Sequence, residues 1–176
     1  MKSLASRLLC MLALALLPVW SATASPYPEN TENWAVNSAW IKELPRDEQT
    51  IVLVTLALEL STHADQTLLP AVKDPAGMRW VLKVSGNGNH MLMDIATRSD
   101  TLRAIFRDKA DAYLNVINGR MSADAFSQAM DAINTRIDVA TTNITAQDIA
   151  RVRAAYRTRI AETETTLIAY AKLRST

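Results

Sequence analysis

Two small groups of residues in this chain have the types and the spacing to do chemistry. Glu59 and His63 stand four apart, the spacing that stacks two side chains on one face of a helix. A carboxylate so placed can orient an imidazole as a general base, the core of a small hydrolase. With further carboxylates the same pair would begin a zinc site, although the chain has only two histidines. The second group is His90, Met91 and Met93, in the stretch SGNGNHMLMD. Imidazole and thioether together suit a soft metal, Cu(I) above all, with His63 as a further ligand from a neighbouring helix.

Each group has a plainer reading, and the plainer reading is preferred. Thr55, Thr62 and Gln66 continue the Glu59–His63 face as a polar stripe on an otherwise apolar helix. Methionine fills hydrophobic cores far more often than it binds copper. No catalytic residue, metal or resident cofactor is therefore assigned from the sequence.

Other chemistries find little support. The chain has one cysteine, Cys10, and four glycines. No Gly-x-Ser-x-Gly turn and no glycine-rich phosphate loop occur. Asp124, Asp131 and Asp138 are seven apart, about 10.5 Å of helix rise, so no two can chelate one ion. Arg151, Arg153, Arg157 and Arg159 point around their helix in different directions. Salt bridges to neighbouring helices are expected of them, not a shared anion groove.

The elements that would carry these residues follow from the ends inward. Lys2 and Arg7, the apolar run Leu8 to Leu17 and the small-x-small Ala22-Thr23-Ala24 form the pattern of a cleaved export signal, residues 1–24. The run is too short to span a bilayer. Cys10 would leave with it, and removing Lys2 and Arg7 leaves 17 basic and 18 acidic residues. That balance gives no reason to expect nucleic acid as a partner. Residues 25–30 read as an exposed lead-in broken by Pro26 and Pro28, and 31–176 as one helical domain.

Within that domain a short helix is expected after Thr31, then a central helix opened by Pro45 or Arg46 and running to about 69. The last third carries three amphipathic stripes, beginning near Ser99, Ser122 and Thr145 and expected to pack as an antiparallel trio. The third is read as one continuous helix over 145–173. Between them, Met78, Trp80, Leu82 and Val84 alternate with polar residues, as do Met91, Met93 and Ile95. With Asn87-Gly88 as a tight turn, Val84 would face Met91, Leu82 Met93, and Trp80 Ile95.

The fold expected is thus mainly α: four to five helices with one inserted β-hairpin at about 78–97. The function expected is that of a periplasmic or secreted protein that acts by binding. Its partner would be another envelope or secreted protein, such as a toxin or an enzyme, or a second copy of the chain, in the manner of an inhibitor, immunity protein, adaptor or chaperone. The projecting hairpin tip would make the contact, through Lys83, Gly86, Asn87, Gly88, Asn89 and His90. Cu(I) binding through Met91 and Met93 is the alternative, and hydrolysis at Glu59 and His63 a further one.

Overall fold

The computed structural model describes residues 34–176. The expected signal (1–24), the lead-in (25–30) and the start of the first helix at Thr31 lie outside the described residues. Those residues form seven α-helices and no strand: α1 (Trp34–Glu43), α2 (Arg46–His63), α3 (Pro75–Ile95), α4 (Asp100–Ile117), α5 (Ala123–Ala140), α6 (Ala146–Ala155) and α7 (Arg157–Leu173). Beyond α2 the chain tightens through one π-helical turn (Ala64–Leu68) and one 3-10 turn (Leu69–Ala71).

The expected hairpin does not form. Residues 78–97 belong almost entirely to α3, and the reason lies in residues that the alternating pattern placed on the wrong side. A hairpin would turn Val81 and Leu92 to the polar face, yet they are 2% and 0% exposed. With them included, Met78, Leu82, Ser85, Asn89, Leu92 and Ile95 run at spacings of three and four, with Val81 beside Leu82 on the same side, the period of a helix face. The start is also coded locally: Pro75 occupies the first turn, and the Asp74 carboxylate accepts the Gly77 N–H at 2.7 Å.

Gly86 and Gly88, read as turn residues, serve close approach instead. A Cβ at Gly88 would stand 2.5 Å from Leu60 Cδ2 on α2, and one at Gly86 would stand 3.2 Å from Tyr113 Cβ on α4. They thin α3 on opposite sides so that two helices can close on it. The helix at the centre is therefore α3, packed on α1, α2, α4 and α7, and not the helix that follows Pro45.

The remaining helices begin where their capping residues stand. Ser99 and Ser122 cap α4 and α5, and Thr145 forms a capping box with Asp148 at the start of α6. Gly119, at φ +68°, ends α4: Arg120 N–H donates to Asn115 O and Gly119 N–H to Val116 O, a Schellman closure.

Two expectations for the last third are revised. The 145–173 segment breaks at Tyr156 into α6 and α7. It also does not complete an antiparallel trio, because α5 packs on α4 while α6 and α7 return to α1, α2 and α3. No helix among the described residues is long and apolar enough to cross a membrane.

Candidate functional site

The residues singled out by type and spacing are dispersed by the fold. Glu59 and His63 do share the end of α2, yet they make no hydrogen bond to one another. The Glu59 carboxylate is joined instead to the Arg153 guanidinium of α6. Glu164 of α7 stands near both: burial raises its pKa, the charge of Glu59 adds to the rise, and Arg153 opposes it. His63 keeps a buried Nε2 with no hydrogen-bond partner. Burial lowers its pKa and the Lys172 charge lowers it further, so the ring is neutral at neutral pH. An unoriented imidazole beside a carboxylate already committed to arginine is a poor general base.

The methionine site is divided as well. Successive helix residues turn by about 100°, so Met91 and Met93 diverge by about 200° around α3. Met91 is 1% exposed in the core, and Met93 packs half-buried against it. Their common face, which the copper reading needs, came from the strand geometry and disappears with it. No cluster of three or more His, Cys, Asp or Glu that could hold a metal occurs among the described residues.

The six residues expected at a projecting tip lie along α3. Gly86, Gly88 and Asn89 are buried, Lys83 is exposed, and Asn87 donates to Ser175 Oγ at 2.9 Å. His90 is half-exposed, with Nδ1 3.9 Å from the Asp94 carboxylate. Asn89 is a finding in its own right. Its amide nitrogen donates to Ser85 O at 2.8 Å, and its Oδ1, in a side chain 3% exposed, has no partner. Flipping the amide would set oxygen against oxygen at Ser85, so the orphan acceptor is not an assignment error.

Ser85 also links α3 to α4. Tyr113 receives a hydrogen bond from Ser85; burial, and then the charge of Asp65 on the π turn, hold its pKa well above the ordinary phenol value. One turn earlier on α4, burial lowers the Lys109 pKa and Asp65 partly offsets it.

Two of the four arginines of the last segment, Arg151 and Arg153, make the expected ion pairs, both with α2. Arg153 meets Glu59, and Arg151 Nη1 lies 3.6 Å from Glu48 Oε1. The other oxygen of Glu48 accepts the Tyr156 hydroxyl at 2.5 Å, where α6 gives way to α7. The Tyr156 ring lies 5.4 Å from Trp40, and the Arg159 guanidinium sits over the Trp40 ring at 5.8 Å. Asp124, Asp131 and Asp138 are all exposed on the outer side of α5.

What the sequence did not announce is a surface cleft of about 590 Å³. The first turns of α2 and α4 and the loop from α5 into α6 form its walls. Arg46 and Asp47 come from α2, Ser99 and Thr101 from the start of α4, Asn143 from the loop, and Asp148 and Arg151 from α6. The Arg46 guanidinium has no hydrogen-bond or ion-pair partner among the described residues. No side chain caps the start of α2. The signal was present in principle, because each wall is a helix start marked by Pro45, Ser99 or Thr145. Only the tertiary fold brings those starts together. No family model, curated protein or solved structure matches this chain.

Proposed function

We propose that this chain is an exported protein that works by holding another envelope or secreted protein, without turning over a substrate. The observation that carries the reading is the cleft between the starts of α2, α4 and α6. It is of a size that ligand sites have, roughly 300–1,000 Å³, and Arg46 and Asn143 stand exposed on its walls. Residues spent on the fold look different: Glu59, Arg153, Glu48 and Tyr156 satisfy one another. Export is supported by the charged start, short apolar run and Ala22-Thr23-Ala24 of the first 24 residues. The contact surface proposed is the cleft, in place of the hairpin tip that the fold removes.

Affinity capture from an envelope extract with the purified protein as bait tests this. One partner should be recovered by the wild type, lost with Arg46→Glu and Arg151→Glu, and retained with Arg157→Glu, which lies outside the cleft. Recovery of no reproducible partner, or of one indifferent to both cleft substitutions, overturns the proposal.

A further inference from the structure

The chemistry of the cleft narrows what it can hold, given the binding role proposed above. Its walls carry two guanidinium groups, Arg46 and Arg151, of which Arg46 has no partner among the described residues. Arg151 lies 3.6 Å from Glu48 and in the field of Asp148, and neither acid depends on it, because the Tyr156 hydroxyl holds the other Glu48 oxygen at 2.5 Å and Thr145 holds Asp148. An incoming carboxylate making ordinary charge-assisted hydrogen bonds, about 2.7–2.9 Å long, would be the better partner for Arg151.

The same walls argue against a polyanion. Asp47 and Asp148 line the cleft too. Asp148 is fixed as an anion by the Thr145 backbone N–H at 3.0 Å and the Thr145 hydroxyl at 2.6 Å, which hold its pKa below the usual value. A phosphate dianion or a nucleic-acid backbone would face both acids, whereas one carboxylate beside one basic group would find complementary charge on each side. Ile51 and Leu102 add apolar surface that an inorganic ion could not use.

We infer that the cleft takes a short peptide segment of mixed charge, its carboxylate between Arg46 and Arg151 and its neighbouring basic side chain facing Asp47. The segment belongs to the partner, and Arg151 exchanges Glu48 for the arriving carboxylate while Glu48 stays bonded to Tyr156.

Calorimetric titration of the purified protein with acetyl-Lys-Leu-Glu-amide, with its Gln-for-Glu counterpart and with inorganic phosphate tests the inference. The Glu peptide should bind with a dissociation constant in the millimolar range or below, and the Gln peptide about ten-fold more weakly or worse. Arg46→Gln should cost the Glu peptide about the same factor, with an unchanged helical circular dichroism signal, while Arg157→Gln costs nothing. The inference falls if the Glu peptide does not bind, if both peptides bind alike, if phosphate binds more tightly, or if Arg46→Gln has no effect. Partner capture that depends on Arg46, with no peptide binding, would leave the binding role standing and remove only this inference. Peptide binding without any captured partner would do the reverse.

Discussion

Gly86 and Gly88 carry no side chain, yet they decide how close three helices come. Each costs α3 about 1 kcal/mol of helix propensity relative to alanine, and each is placed where a methyl group would strike a neighbour. At Gly88 that neighbour is Leu60, itself 3% exposed, whose side chain must shift within the core. Gly88→Ala is expected to destabilise by about 1–3 kcal/mol despite its better propensity. Gly77, in the first turn of the same helix, has only ordinary contacts around it, the nearest at 3.5 Å. Gly77→Ala should therefore stabilise by about 0.4–1 kcal/mol. Urea unfolding of the two variants checks the opposite signs. His63 gives a second residue-scale prediction. Its folded pKa is lowered below 6.5, so the unfolded chain binds the proton first. Stability from this group is complete above pH 6.5 and is lost as the pH falls below that value toward the folded pKa. Wild-type protein should lose more melting temperature between pH 7.5 and pH 5.5 than His63→Gln does; equal losses would refute it.

At the scale of elements, the seam between α1 and α7 is the most demanding polar contact in the fold. Thr163 is fully buried; its hydroxyl accepts the Trp40 indole N–H at 3.1 Å and bonds back to Asn37 O at 2.8 Å. Thr163→Val keeps the shape and leaves the indole N–H unpaired, which should cost about 1–3 kcal/mol in unfolding free energy. Elements of this kind were unevenly legible in the sequence. Starts and stops that one side chain or one glycine fixes, at Pro45, Ser99, Ser122, Thr145 and Gly119, could be read directly, since a cap needs only its own turn. The identity of α3 could not be read from alternation. The helix does carry a polar stripe, Arg79, Lys83, Asn87, His90 and Asp94 at spacings of three and four, but the alternation of Met78, Trp80, Leu82 and Val84 overlies it, and glycines that admit neighbours look like glycines that make turns. Asp74-Pro75 is the local clue, and the Asn87-Gly88 pair looks like the stronger signal. The break at Tyr156 has no proline or glycine to announce it. It coincides with a side chain drawn to Glu48 and Trp40, contacts more than a hundred residues away along the chain.

The same division holds for the molecule as a whole. Mainly helical architecture followed from the stripes of the last third, whereas the cleft required three helix starts from distant parts of the chain to meet. Glu59 shows why spacing alone misled: its neighbour on the helix was His63, but the stronger attraction came from Arg153 on α6. The export proposal makes its own prediction. The chain recovered from the periplasm should begin near residue 25, and its melting temperature should not change with reductant, since Cys10 is its one cysteine. A mature chain that starts at Met1 would refute it.

The placement of α3 has a consequence for the order of events in the life of the chain. One side of that helix is closed by α7, and Asn87 is tied to Ser175, the penultimate residue. The middle of the protein thus cannot be finished until α7 has docked. Until α7 docks, α3 stays partly uncovered, with apolar surface exposed to other chains. Removing residues 157–176 should leave a product that proteases cut within α3, whereas the chain that keeps α7 resists.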